Sequence, residues 1–508
     1  MKKLSLLFIG VLSMSYVGAQ NITDAVRYSL EEVQGTARFR ALSGAFGALG
    51  GDLSSISINP AGAAIFNRSY GSFSLSNLNT NNDITYFNEF SNTSESKFDL
   101  NQMGAAFVFN NTDENSPWKK LVLSINYDKI SDFDNNWYAV GFNTNSIGDY
   151  FLGYAQGLRL DEISAFPGES LDDAYADIGS IYGYGNQQAF LGYESYILEP
   201  FSDTDDNASY SSNIAPGTFD QDYSYSSRGY NGKLNFNIAS QFQDNLYLGL
   251  NLNAHFIDYD KSTYLYEFNS NPSSTAISVS EVGFENNLHA TGTGFSFQLG
   301  AIIKLTDEFR AGLSYNSPTW LRISEETTQY LATVRNEGGS NITQTIDPNT
   351  VNVFPDYKLQ TPGKMTGSLA YIFGEDGLIS FDYSRKDYGN TKFKPTSDSY
   401  FASQNNLMSD VLKSASTYRF GGEYRYKQYS FRGGYRFEES PYEDDTFYGD
   451  LTGFSLGLGY SFGNFKVDLA FDQSDRSIYN QLYAVGLTDA PKVDSKISNI
   501  TATLGFNL

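Results

Sequence analysis

Residues 246–256, LYLGLNLNAHF, alternate without a break: Leu246, Leu248, Leu250, Leu252, Ala254 and Phe256 against Tyr247, Gly249, Asn251, Asn253 and His255. Successive side chains of an extended strand point to opposite faces, so this strand has one apolar and one polar face. The same period recurs further along the chain. Phe295, Phe297, Leu299, Ala301 and Ile303 alternate with Ser296, Gln298 and Gly300. Phe454, Leu456, Leu458, Tyr460 and Phe462 alternate with Ser455, Gly457, Gly459 and Ser461, and Phe465, Val467, Leu469 and Phe471 with Lys466, Asp468 and Asp472. In a soluble sandwich the polar face meets water and the apolar face a second sheet. In a membrane barrel the apolar face meets lipid and the polar face the lumen.

The connections separate these two readings. Fourteen strands begin near Tyr70, Leu100, Lys120, Gly229, Leu246, Thr291, Phe309, Lys364, Leu378, Thr417, Tyr429, Thr452, Phe465 and Ile497. Short connections at 110–118, 241–245, 306–308, 374–377, 427–428 and 463–464 alternate with long polar ones at 80–99, 143–227, 260–290, 321–363, 385–416, 438–451 and 473–496. Strict alternation predicts an all-β membrane protein: a fourteen-stranded antiparallel outer-membrane β-barrel with short periplasmic turns, long extracellular loops and both chain ends in the periplasm. The last strand, with Ile500, Ala502, Leu504, Phe506 and Leu508, resembles the terminal assembly signal of such barrels, with Leu508 in place of the commoner Phe.

The third strand is irregular. Leu121, Leu123, Ile125 and Tyr127 alternate, the pattern fails over Lys129, Ile130, Ser131, Asp132, Phe133, Asp134, Asn135 and Asn136, and it resumes at Trp137. A bulge, a kink or two separate strands would each produce this. One kinked strand keeps the strand count even.

Ahead of the strands, residues 1–19 read as a signal peptide, with basic Lys2 and Lys3, an apolar core over residues 4–12 and small residues Val17-Gly18-Ala19 before Gln20. Residues 20–68 do not alternate. Thr23 or Asp24 is a candidate cap for a short helix through Glu32, and Asn59-Pro60 is a second helix start. The segment 40–62, RALSGAFGALGGDLSSISINPAG, is rich in small side chains. A barrel of this size is either open or plugged, so residues 20–68 are expected to form a small, partly helical plug inside a barrel built from residues 69–508.

Composition excludes several functions. There are no cysteines, so there is neither disulfide nor thiol chemistry. The net charge of −24 opposes nucleic-acid binding. Aromatic residues make up 16%, with 38 Tyr and 39 Phe, which suits interface girdles of a membrane barrel. His255 and His289 are the only histidines and flank one long connection. A haem or metal pair is the sharp reading, two polar residues the plain one. The stretch Asp203-Thr204-Asp205-Asp206-Asn207 lacks the Gly and Glu of an EF-hand, since those positions hold Ala208 and Ile214. Neither a Ser-His-Asp set nor a nucleophile elbow followed by a helix stands out. Tyr247, Tyr230 and Trp137 are aromatic candidates for ligand contact or girdle packing, and none is nominated as a ligand residue.

Ala41, Gly44, Ala45 and Phe46, then Gly51-Asp52, then Asn59-Pro60-Ala61-Gly62 resemble the plug motif of the FadL/TodX (OmpP1) family of outer-membrane hydrophobic-compound transporters. Residues 311–318, AGLSYNSP, resemble the family's mid-barrel strand, and residues 360–382 its Pro-led hairpin. The Ala-Gln at the signal's end and the Tyr/Asn-rich loops fit a Bacteroidetes-type member. The resemblance implies a bacterial outer-membrane location and passive uptake of hydrophobic compounds such as long-chain fatty acids. It implies plug movement and lateral exit through a gap at a third-strand kink, which places Lys129 to Asn136 as the kink candidate. It implies that Asn59, Pro60, Ala61 and Gly62 belong to the gate, although alone they read as an ordinary helix cap. No catalytic residue, cofactor or metal is expected. The expected partners are a fatty-acid-like hydrophobic ligand, outer-membrane lipid and, at the extracellular loops, a protein partner; the expected state is a monomer. Two alternatives remain, a secretion-system or surface-docking barrel and a haem-related receptor.

Overall fold

Along the strand that begins at Leu246, Asn251 is 0% exposed and Leu252 is 45% exposed. That inversion, polar side chains buried and apolar ones exposed, repeats around the molecule and marks a wall with lipid outside and a filled interior. The computed structural model describes residues 21–113 and 115–508; the signal peptide expected over residues 1–19 lies outside the described residues. Fourteen antiparallel strands form the wall: β1 (Tyr70–Tyr86), β2 (Glu89–Asn110), β3 (Trp118–Asp132, with an outer piece Asn135–Asn143), β4 (Phe219–Phe242), β5 (Leu246–Phe268), β6 (Ile277–Lys304), β7 (Phe309–Asn316), β8 (Lys364–Ile372), β9 (Gly377–Asp387), β10 (Ser414–Tyr426), β11 (Tyr429–Glu438), β12 (Leu451–Ser461), β13 (Phe465–Tyr479) and β14 (Lys492–Asn507). β14 pairs back onto β1, from Tyr70–Asn507 to Thr85–Lys492. Closure pairs backbone groups that lipid cannot satisfy. No described helix is long and apolar enough to cross a membrane.

All fourteen expected strands are present, and most extend further than their alternation indicates. β1 and β2 continue to a turn at residues 87–88, so most of the connection expected at 80–99 is a hairpin. β5 and β6 likewise pair out to Phe268 and Glu281. Above the membrane the outer face meets water and the inner face packs on an apolar core, so the lipid-facing apolar set is lost while the hydrogen-bond ladder continues. Besides β3, three strands are interrupted and then resume. β7 stops at Ser317–Thr319 and continues as Trp320–Glu337, β8 has an outer piece Tyr357–Gln360, and β9 has an outer piece Lys392–Lys394. Pro318 cannot donate to a ladder, which accounts for the first break.

The longest connection, expected over 143–227, is a folded cap with α3 (Gly148–Ala155), α4 (Leu171–Tyr182) and α5 (Tyr184–Glu194). Ile147, Phe151, Tyr175 and Phe190 of the cap share one apolar core with Ile84 and Tyr86 of β1, Phe284 of β6 and Leu482 and Leu487 of the β13–β14 connection. A sixth helix, α6 (Ser399–Val411), lies between β9 and β10.

Residues 21–69 occupy the interior. They form α1 (Ile22–Arg27), α2 (Ala37–Ala41) and two 3-10 turns, Ser54–Ser57 and Pro60–Ile65. The first helix differs from expectation: Asn21 caps it by accepting from the Asp24 N–H, neither Thr23 nor Asp24 is the cap, and it ends at Arg27 rather than Glu32.

Candidate functional site

The Asn59 side chain accepts from the Ala61 N–H (3.1 Å) and donates to the carbonyls of Gly47 (2.7 Å) and Ala301 (3.0 Å). With Pro60 fixed at the first position, the turn through Ala61 and Gly62 is buried. The wall holds its carbonyls: Asn237 donates to Pro60 O (3.0 Å), Asn251 to Ile56 O (2.8 Å) and Gln298 to Ile58 O (2.9 Å). Gly249 and Gly300, register partners on β5 and β6, let this backbone lie directly on the wall. A Cβ at Gly300 would stand 2.0 Å from Asn59 Oδ1, and one at Gly249 2.3 Å from the Pro60 carbonyl carbon. These glycines serve close approach, not an unusual backbone angle.

Charge anchors the plug across the lumen. Arg38 pairs with Glu423 of β10 (2.9 Å), and Arg40 makes a bidentate pair with Asp472 of β13 (2.7 and 2.8 Å). The Asp382 carboxylate of β9 accepts from the N–H groups of Phe46 and Gly47 (both 2.9 Å).

On the other side the wall is incomplete. β2 and β3 pair from Asn110–Lys120 up to Gln102–Asp128, and the backbone pairing stops there. Beyond it, β3 shifts register against β4 between Lys129 and Ser131, leaves the ladder at Phe133 and Asp134, and resumes pairing at Asn135 with Ser227. Of the eight kink-candidate residues, Lys129 to Asp132 belong to the inner piece of β3 and Asn135 and Asn136 to the outer piece; Phe133 and Asp134 form the interruption. Side chains bridge the two strands. Thr93 Oγ1 donates to the Asn136 carbonyl (2.7 Å), Lys97 pairs with Asp134, and Lys129 pairs with Asp99 and Asp132. The plug passes just inside. The Glu32 N–H donates to Ile130 O (3.0 Å), Ser131 Oγ donates to Leu30 O (3.2 Å), and the Gly35 N–H donates to Asn101 Oδ1 of β2 (3.1 Å).

Above the plug lies an apolar chamber that α1 fills. Ala25, Val26 and Tyr28 pack among Phe133, Tyr259, Leu321, Tyr357, Phe393 and Met408. Phe133 turns inward from the interruption of β3 and meets Tyr28 and Tyr259 edge-on, with ring centroids 6.1 and 5.4 Å apart. At the chamber's polar edge, Lys364 and Lys386 are register partners on β8 and β9. Like charges directly opposite one another on a ladder repel. Glu31 lies between them, 2.5 Å from Lys364 Nζ and 3.2 Å from Lys386 Nζ. The two lysines can therefore hold one carboxylate beside an apolar pocket. Sequence reading missed this cradle because the pairing of β8 with β9, which brings the lysines together, is a matter of register.

The histidines do not meet. His255 faces the lumen and bonds Ser296 Oγ (2.8 Å), whereas His289 is exposed on the outer face beside Asp260 (2.6 Å). A two-histidine haem or metal site therefore has no geometric basis. Among the described residues one other group of potential ligands converges, the exposed Asp258, Asp260 and His289. Tyr247 is buried under the plug, Trp137 stacks on Tyr225 in the cap core, and Tyr230 packs edge-on with Phe256 on the outer wall. Asp203 to Asp206 are exposed on the cap.

A family model described as outer membrane protein transport protein (OMPP1/FadL/TodX) matches residues 208–487. The chain belongs to this family. FadL/TodX-family membership makes it an outer-membrane transport protein of Gram-negative bacteria, not an enzyme. The fold agrees with solved family structures. The P. putida toluene transporter TodX is 12% identical, over 94% of this chain and 99% of that one, with a TM-score of 0.53. A Pseudomonas aeruginosa FadL homologue is 11% identical, over 94% and 99%, with a TM-score of 0.55. No curated relative matches the chain.

Proposed function

We propose that this FadL/TodX-family protein takes up hydrophobic compounds passively, with long-chain fatty acids within its range, and releases them sideways through the wall. The observation that carries this reading is the end of β2–β3 backbone pairing at Gln102–Asp128, with the plug backbone lying across the inside of the gap. A ligand entering from the cap side replaces α1 in the apolar chamber. Its carboxylate takes the place of Glu31 between Lys364 and Lys386. The arm over residues 21–34 then shifts from Ile130 and Ser131, while the Asn59-Pro60-Ala61-Gly62 turn remains as the fixed seat of the gate. The whole transfer from water into lipid is downhill, because each methylene removed from water contributes about 0.8 kcal/mol.

The test bridges the gap. In this cysteine-free chain, Thr93→Cys with Asn136→Cys, joined by a short bis-maleimide, ties β2 to the outer piece of β3. The rate of uptake of a fluorescent fatty acid into proteoliposomes is expected to fall about tenfold or more on bridging, a rise of roughly 1.4 kcal/mol or more in the barrier. Each single-cysteine protein should take up ligand normally. Undiminished uptake after complete bridging rules out the lateral route.

A surface-docking role is the second reading, favoured by Phe166, Ile181 and Phe201, which stand exposed on the cap. Stoichiometric co-purification of a protein partner, lost when the cap is trimmed, would support it.

A further inference from the structure

We infer that the outer wall carries a binding site for the phosphorylated headgroup of an outer-leaflet lipid, formed by Arg322, Lys358, Lys394 and Lys392. The site comes from register. Arg322 pairs with Lys358, and Lys358 with Lys394, across the outer pieces of β7, β8 and β9. Their neighbours Leu321, Ile323, Tyr357, Leu359 and Phe393 are buried toward the chamber. Alternation therefore turns the three cations outward as a single row. With strands roughly 4.8 Å apart, the row spans about 10 Å. Lys392 lies one level below, on the register of Gln360 and Trp320.

Such a row is unfavourable without an anion, since like charges directly opposite on a ladder destabilise it. It also runs against the charge of the whole chain, −24. Within the described residues one carboxylate answers it, Asp356 on Arg322 at 2.8 Å. The height selects a lipid. Trp320 and its register partner Phe295 are exposed on the outer face, an aromatic pair of the kind that marks the membrane interface. Arg322 lies two residues further out, about 6.6 Å along the strand, where headgroup phosphates sit above acyl chains. A free anion would use the cations alone, whereas a phosphorylated lipid also uses the apolar wall below them, which includes Leu299, Leu313 and Met365. The inner neighbours of the row line the chamber, so a bound headgroup braces that chamber from outside. This inference is independent of the uptake reading.

Native mass spectrometry of the detergent-purified protein tests it with two probes, a diphosphorylated lipid A and the same lipid with its phosphates removed. The wild type is expected to retain the phosphorylated probe at least about tenfold better. The Arg322→Ala/Lys358→Ala/Lys394→Ala protein should lose that preference, and Lys358→Arg with Lys394→Arg should keep it. Heat-modifiable gel migration verifies that each variant is a folded barrel. Equal retention of the two probes by the wild type, or unchanged preference in the triple variant, overturns the site. Complete displacement of the lipid by millimolar pyrophosphate overturns the assignment to a lipid.

Discussion

At Gly300, one added methyl group would land 2.0 Å from Asn59 Oδ1, so Gly300→Ala must lift the Asn59 turn from the wall or bend β6. Overpacking of this kind destabilises by about 1–3 kcal/mol. The expected readout is faster hydrogen exchange over residues 55–65 with barrel strands unchanged. Glu31 gives a prediction of opposite sign. If its carboxylate competes with a ligand for Lys364 and Lys386, Glu31→Ala raises fatty-acid affinity, because apparent affinity scales with the fraction of protein whose site is vacant. A several-fold tighter Kd in a detergent-exchange assay is expected, with weaker binding after Lys364→Ala. Weaker binding in Glu31→Ala would refute the competition. Arg40 is buried and its partner Asp472 partly so, so Arg40→Ala strips a half-buried carboxylate of its bidentate partner and should cost up to about 3 kcal/mol, more than Arg40→Ala with Asp472→Ala together. Chemical unfolding of the three variants measures the difference.

Among the elements, the cap carries the clearest pH dependence. Burial pushes the Glu267 carboxyl up, and the bonds it accepts from Ser146, the Ile147 N–H and Gln221 offset only part of that. The folded cap therefore holds a proton that the unfolded chain releases at about pH 4.3. Cap stability is full below that pH and falls as pH rises through it toward the raised native value. Hydrogen exchange over residues 146–160, followed from about pH 4 to about pH 7, should show this decline, and Glu267→Gln should flatten it. The elements also separate what the sequence reveals from what it does not. A two-residue period such as that of Leu246 to Phe256 is a local property and marks every strand inside the membrane. Lys129 to Asn136 announced an interruption, but which two residues leave the ladder depends on the Ile130 bulge and on Asp134, which accepts from the Gly229 N–H across the strand pair. The Glu31 cradle and the Asn59 seat depend on which strands are neighbours and in what register. Residues hundreds of positions apart, such as Glu31 and Lys364, carry no mark of their meeting.

For the whole molecule, the plug's attachments are uneven. The turns over residues 37–65 are tied to β4–β7, β9, β10 and β13 by many hydrogen bonds and two buried ion pairs. Ejecting the whole plug would break all of them at about 1 kcal/mol or more each. The arm over residues 21–34 has fewer ties, chiefly at Ile130, Ser131 and the two lysines. Removing residues 21–34 is therefore expected to open the chamber while the barrel keeps its heat-modifiable migration. Planar-bilayer recordings should show only a small rise in conductance, against a large one when residues 21–65 are removed.

The interrupted seam has one further consequence. Closed barrels gain protection from having no free strand edge, and this one gives up part of that protection where β2 and β3 separate. The Glu32 N–H on Ile130 O and the Thr93 hydroxyl on Asn136 O act there as edge guards, occupying carbonyls that another chain's strand would otherwise pair with. A protein stripped of its arm and of Thr93 should thus become sticky as well as leaky, zipping seam to seam into dimers in detergent.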